Sequence, residues 1–312
     1  GSGPGPICRA LQVAPSSYSA ARVRPPSARD VRDRELIHQI HAARAGYRRV
    51  YGVRKTWHEL RRRGVEVGRD RVGRLMRAEG LAGLRRGLGV RTTTPAETAA
   101  DRARDLVGRR FAAAGPNQLW VADITHIRTL SGFCYLAFIL DVFSRRITGW
   151  QIATHMRTEL VLDALEMAAA LRDLDAGLIV HTDRGSQYTS IRYTERLDEL
   201  GIAPSVGSRG DAYDNAMAEA WVGTFKAELV AGRRFASFTA AEQETMRWIG
   251  FYNRERLHEH LGHLPPAEFE DLALRTGANL HDPHGPFGPA VAGRPALVRG
   301  APAGLGTSEG TT

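Results

Sequence analysis

Two cysteines in 312 residues, Cys8 and Cys134, are too few for a disulfide framework or a CxxC-type zinc site, and both are read as free thiols. No stretch approaches the ~18 uninterrupted apolar residues that a membrane-spanning helix requires, and no secretory pattern opens the chain, so a cytoplasmic protein is expected. The first six residues, Gly1 to Pro6, hold only glycine, serine and proline and are left out of fold reasoning. Lysine is scarce: Lys55 and Lys226 are the only two among 43 basic residues. Gly87 and Gly89 have no following P-loop lysine and make no phosphate loop. His258, His260 and His263 do not fall on one helical face and are read as a helix end, not as zinc ligands.

What is present is charge, unevenly placed. The net charge of +9 divides into 25 Lys+Arg against 10 Asp+Glu over residues 1–110, and 18 against 24 over the remainder. A basic front joined to a mildly acidic rear points to a module that neutralises phosphates, followed by a part whose carboxylates do other work. An arginine-rich surface without a partner would give the same composition, so charge alone does not decide.

Apolar periodicity predicts a short all-helical unit over residues 30–85. Helices are expected from Arg34 to Ala45, with Leu36, Ile37, Ile40 and Ala43 on one face, from Val53 to Arg63, and from Arg69 to Glu79, with Val72, Leu75 and Met76 together. Three short helices with glycine turns outline a helix-turn-helix whose last helix presents Arg69, Arg71, Arg74 and Arg77 to DNA. Residues 1–29 are an arm and 86–116 a linker. From residue 117 the pattern becomes β-rich: Gln118 to Arg128, Cys134 to Ser144 and Ile147 to Ala153 predict an antiparallel meander. A helix from Glu159 to Leu171, a strand from Leu178 to His181, a helix from Ser190 to Leu200 and a strand from Ile202 to Val206 then predict a parallel portion. Long helices follow from Ala212 to Leu229 and from Ala240 to Tyr252. The α/β core is expected to end at residue 272, with 273–312 a disordered tail.

Three carboxylates stand out. Asp123 sits inside the apolar strand Trp120-Val121-Ala122-Asp123-Ile124-Thr125, where an unpartnered carboxylate is costly. Asp183 lies where the strand Leu178-Ile179-Val180-His181-Thr182 ends, the place where open α/β folds keep their sites. Glu219 lies on a helix with 35 residues between it and Asp183, and Lys226 follows it by seven positions, on the same face and roughly 10 Å away. Three hard oxygen donors suit Mg²⁺, and two such ions support in-line phosphodiester displacement without a covalent intermediate. Asp141 is a fourth carboxylate in a strand, read as bonding the turn at Ser144. Arg145-Arg146 and Arg233-Arg234 are read as solvated turn residues, and the tryptophans as core, with base stacking open to Trp221 and Tyr188.

The segments around Asp123, His181-Thr182-Asp183-Arg184-Gly185-Ser186-Gln187-Tyr188-Thr189-Ser190 and Tyr213-Asp214-Asn215-Ala216-Met217-Ala218-Glu219 resemble the retroviral-integrase-type core of bacterial insertion-sequence transposases. The resemblance is to OrfB, the second-reading-frame protein of the insertion sequence three family. It extends to Tyr51-Gly52-Val53-Arg54-Lys55 and Arg74-Leu75-Met76 upstream, and downstream to Tyr252-Asn253-Arg254-Glu255-Arg256-Leu257-His258 and Pro265-Pro266-Ala267-Glu268-Phe269, about residues 7–271 in all.

The resemblance implies a ribonuclease-H-like mixed sheet flanked by helices and preceded by a small all-α helix-turn-helix domain. It implies that Asp123, Asp183 and Glu219 hold two Mg²⁺ ions, with Mn²⁺ as a substitute, and that Lys226 contacts the element's end. Arg54, Lys55 and the four arginines of the last helix become its DNA-binding set. It also implies 3′-end cleavage by water, strand transfer by the freed hydroxyl, and a homo-oligomer acting on terminal inverted repeats and target DNA. An upstream OrfA segment, or an OrfAB fusion, is the implied partner, because no leucine-heptad coiled coil is present. A ribonuclease-H-like nuclease that cuts without joining, and a DNA-binding regulator with an inactive core, are the alternative readings.

Overall fold

The computed structural model describes residues 8, 10, 12–84, 112–174, 177–183, 185–206, 216–277 and 280. Two compact units result, Gly1–Gly83 and Leu84–Thr312.

The first unit is helical: α1 (Pro15–Val23), α2 (Ala28–Ala43), α3 (Val53–Arg62) and α4 (Arg69–Ala78). The helix expected from Arg34 starts six residues earlier. Ser27 and Asp30 form a capping box, each side chain accepting from the other's backbone amide, and this carries the polar first turns that show no apolar period. Leu36, Ile40, Ala43, Leu60, Val72, Leu75 and Met76 make the core, while Ile37 is only partly buried. The Arg44 guanidinium closes the unit by donating to the carbonyls of Tyr51, Arg49 and Ala82. Gly83 lies so close to Gly52 that a Cβ on it would stand 2.5 Å from the Gly52 Cα.

The second unit is built on one sheet, β1 (Leu119–Thr129), β2 (Gly132–Asp141), β3 (Ile147–Ala153), β4 (Ile179–Thr182) and β5 (Ala203–Val206), in the order β3-β2-β1-β4-β5. The first three strands form the antiparallel meander, and β4 and β5 run parallel to β1 and to each other. Helices cover both faces. On one, α5 (Thr158–Leu171) and α6 (Ile191–Glu199) pack on Trp120, Ala122, Ala137, Ile139 and Val180. On the other, Phe138, one residue out of phase with Ala137 and Ile139, stacks at 4.0 Å between ring centroids on Trp221 of α7 (Ala216–Phe225). Trp248 and Tyr252 of α8 (Phe238–Arg254) join the same aromatic cluster.

Two expectations are corrected here. The helix expected to run unbroken to Leu229 ends as α-helix at Phe225 and continues as a π turn over Lys226–Val230; its expected start, residues 212–215, lies outside the described residues. The core also passes the boundary at 272. Helix α9 (Pro266–Thr276) buries Phe269 and Ala273, and Leu280 packs with them against Phe143. Its Glu270, almost wholly buried, accepts from Arg172 and from Arg146, both at 2.8 Å. In 266–276 the charges Glu268, Glu270, Asp271 and Arg275 interrupt a narrow apolar stripe of Phe269 and Ala273. Most of the expected linker and tail, residues 85–111 and 281–312, lies outside the described residues.

Candidate active site

Register places the first two acids. Ala122 pairs with Thr182 in the parallel β1–β4 ladder, so Asp123 and Asp183 are the next position on adjacent strands and emerge on the same face. Asp123 is only partly exposed, and its Oδ1 accepts from the Ile124 amide at 2.7 Å. Asp183 is exposed just past the end of β4, and its Oδ1 accepts from the Gly185 amide at 2.9 Å. Gly185 belongs in that turn: a Cβ would lie 3.0 Å from the Asp183 carboxylate and 3.2 Å from the Gln187 Oε1. Gln187 ties the turn to the main chain by donating to the Met156 carbonyl at 3.0 Å. Arg184 lies outside the described residues.

The third acid arrives on the same face from above. Phe138 is the β2 partner of Asp123, and Trp221 of α7 packs on it, which brings α7 to the face of the sheet carrying Asp123; Glu219, exposed in the first turn of that helix, acts on the Asp123 carboxyl through its charge. Trp221 is itself held by Phe225 at 5.3 Å and Trp248 at 5.8 Å. Lys226 begins the π turn at the other end of the helix.

The charges of these groups act on one another. Burial first, then the charges of Asp183 and Glu219, push the Asp123 carboxyl up to about 7, against the opposing pull of the Ile124 amide and of Lys226. His126, three residues further along β1, is held below its ordinary value by burial and by Lys226. Tyr188 is buried, with its phenol raised well above the usual range by burial and by Asp123 and Asp183.

Among the described residues, no three His, Cys, Asp or Glu side chains stand close enough together to hold a metal ion. The donor set nonetheless fits one in kind. Three carboxylates supply only hard oxygens, and Asp123 keeps its proton up to about 7 because its burial and its like-charged neighbours are unrelieved. A hard dication is the partner that relieves both.

His126 was not singled out from sequence, and Tyr188 was singled out only for base stacking, not as a buried phenol acted on by Asp123 and Asp183. Strand alternation marks His126 as outward-facing, but nothing in it announces Lys226 nearby. Base stacking by Tyr188 or Trp221 is ruled out, since both are at most 4% exposed. Asp141 is fully buried and accepts from the Ser144 amide and hydroxyl and from the Asn117 amide, a turn-holding role.

In the helical unit the candidate DNA contacts divide. Arg54, Arg69 and Arg77 are exposed, Arg69 beside Asp70 at 3.5 Å. Lys55 lies over the Tyr51 ring at 5.4 Å. Arg71 and Arg74, expected to face DNA, instead converge on Asp33 of α2 at 2.8 and 2.6 Å, because α4 packs across α2 with an acid at the crossing.

A family described as "Integrase core domain" matches residues 113–212, a second of that description matches 200–266, and an "HTH-like domain" matches 30–87. The "Putative transposase for insertion sequence element IS986/IS6110" of Mycobacterium tuberculosis (strain CDC 1551 / Oshkosh) is 48% identical over 269 residues, covering 83% of this chain and 95% of the relative. The chain belongs to the insertion-sequence transposases. The "Transposase for insertion sequence element IS629" of Shigella sonnei is 46% identical over 273 residues, with 86% and 91% covered. Of solved structures, the catalytic core domain of BIV integrase is 18% identical with a TM-score of 0.40, covering 52% of this chain and 98% of that one, a likeness too slight to argue from. This transposase is a DDE-type polynucleotidyl transferase, with an integrase core of mixed sheet and flanking helices behind a helix-turn-helix-like domain.

Proposed function

We propose that Asp123, Asp183 and Glu219 are the metal ligands of this transposase, that Lys226 contacts the end of the element, and that the chain is the OrfB protein of an insertion sequence three element. The observation that carries the assignment is the register: Asp123 and Asp183 side by side on one face of the sheet, with the helix bearing Glu219 seated on Phe138 directly beside them. Two Mg²⁺ ions, or Mn²⁺ in their place, supply activation of the attacking oxygen and stabilisation of the leaving one when bound. The protein's own groups do the rest. Asp123 is pre-desolvated on a rigid strand, Asp183 is fixed by its Gly185 turn, and Lys226 offers a cation to a phosphate of the DNA end. The exposed Arg54, Arg69 and Arg77, with Lys55, offer phosphate contacts in the helical unit.

On this reading water first cleaves at a 3′ end, and the 3′ hydroxyl then attacks a second phosphodiester. Because two ends must be held for joining, the working form is an oligomer on the terminal inverted repeats and target DNA, with OrfA or an OrfAB fusion as partner, in the bacterial cytoplasm.

The test is strand transfer on a labelled duplex carrying the terminal repeat, with Mg²⁺ or Mn²⁺. Asp123→Asn, Asp183→Asn and Glu219→Gln should each nearly abolish joining while DNA binding is retained. Cleavage without joining in the parent would overturn the strand-transfer assignment, and loss of binding in all three variants would make the acids structural.

A further inference from the structure

Beyond the acids lies a second charged cluster that the phosphodiester chemistry does not use. The π turn over Lys226–Val230 is closed by the Ala231 amide donating to the Lys226 carbonyl at 2.7 Å. Such wide turns are rare within helices and persist where neighbouring structure holds them. Here Leu229 is buried beneath the turn, and the Glu228 carboxylate accepts three hydrogen bonds from Arg256, from Nε at 3.1 and 3.0 Å and from Nη2 at 2.7 Å. Both side chains are about nine-tenths buried.

Arg256 reaches the turn from just beyond α8. Its guanidinium lies over the Tyr252 ring at 5.7 Å, and Nη1 is 3.4 Å from His258 Nε2. The His258 ring stands edge-on to Tyr252 at 4.7 Å, and Tyr252 in turn meets Trp221 at 6.1 Å. One arginine thus links the turn that begins with Lys226 to the aromatic cluster that seats α7. A buried pair of this kind adds little net stability over an apolar replacement, because desolvation offsets the attraction, whereas its planar fork fixes direction.

We propose that Arg256 is a positioning residue for Lys226: its fork on Glu228 fixes the wide turn from which Lys226 meets the DNA end. This deepens, and rests on, the reading of Lys226 as an end-contacting residue. The fork is on the second residue after Lys226, so losing it frees the turn while Phe225 and the whole of α7, with Glu219, stay seated on the core. The acids should keep their places and the ammonium should not.

The test uses the full chain and two readouts. One is fluorescence anisotropy in EDTA, comparing a duplex ending in the element's terminal repeat with a scrambled duplex. The other is strand transfer with Mg²⁺ as DNA concentration is varied. Arg256→Lys, which keeps the charge and loses the fork, and Glu228→Gln should each weaken the preference for the end on the order of tenfold. KM for the end should rise with kcat little changed, and neither substitution should weaken end binding further in a Lys226→Ala background.

Losses that add to that of Lys226→Ala, or an end preference untouched in both folded variants, overturn the proposal while leaving the Lys226 reading intact. An end preference untouched by Lys226→Ala itself overturns that reading, and the proposal with it. Near-UV circular dichroism reports folding; if Arg256→Lys does not fold, the nearly isosteric Glu228→Gln decides.

Discussion

At the scale of single residues, Asp123 is where burial and charge oppose each other most directly. In the unfolded chain its carboxyl ionises near 3.8; in the fold it does so at about 7. Between those values the folded state binds the proton that the unfolded state has lost, so stability from this group is intact below about pH 4 and falls as pH rises toward 7. A shift of that size corresponds to up to about 4 kcal/mol. Urea denaturation in EDTA should therefore show Asp123→Asn more stable than the parent at pH 8, with the two nearly equal at pH 4. Excess Mn²⁺ should raise the parent and not the variant. Equal stability at pH 8 would mean that the carboxylate is not desolvated as the fold implies. The two aspartates stood out in sequence as candidates because an acid inside an apolar run, or at the exit of one, has few benign explanations. The Tyr188 environment was not, because a tyrosine's burial is set by which helix and turn close over it, and those contacts are long-range.

At the scale of elements, the packing of α5 on β3 shows how little room the sheet leaves. A Cβ on Gly149 would stand 2.1 Å from the Ala164 carbonyl and 2.8 Å from the Ala168 Cβ, and the first of these is backbone that cannot swing aside. Gly149→Ala should force the helix off the sheet, lowering stability by about 1–3 kcal/mol in a chemical denaturation experiment. An unchanged midpoint would mean that α5 does not sit against β3 at this spacing. Periodicity predicted nearly every strand and helix of this unit, because alternation and the 3.6-residue repeat record which face meets the core. In that unit it missed α9 and the π turn after Phe225, and in the helical unit it missed α1 and the start of α2, where the capping box Ser27/Asp30 carries polar turns. A π turn keeps Phe225 and Leu229 buried just as an α-helix would, so the apolar pattern is blind to it.

At the scale of the whole molecule, the split between a basic front and an acidic rear becomes a division of electrostatic labour that salt can measure. Each phosphate neutralised contributes about 0.9 to the slope of log affinity against log salt. Arg69 and Arg77 are exposed on α4, so Arg69→Ala and Arg77→Ala should each flatten the slope for non-specific duplex by roughly that amount, with no change in thermal midpoint. Arg71 and Arg74 carry the same charge in sequence, but both are engaged by Asp33, whose carboxyl they hold below the usual range. Arg71→Ala should therefore flatten the slope less and perturb the α2–α4 packing more, lowering the thermal midpoint of the helical unit. Glu219→Gln, in the other unit, should leave the slope for non-specific DNA unchanged. Equal slopes and equal midpoints for the Arg69 and Arg71 variants would show that α4 meets DNA through its whole basic face, with the Asp33 pairs giving way as it binds.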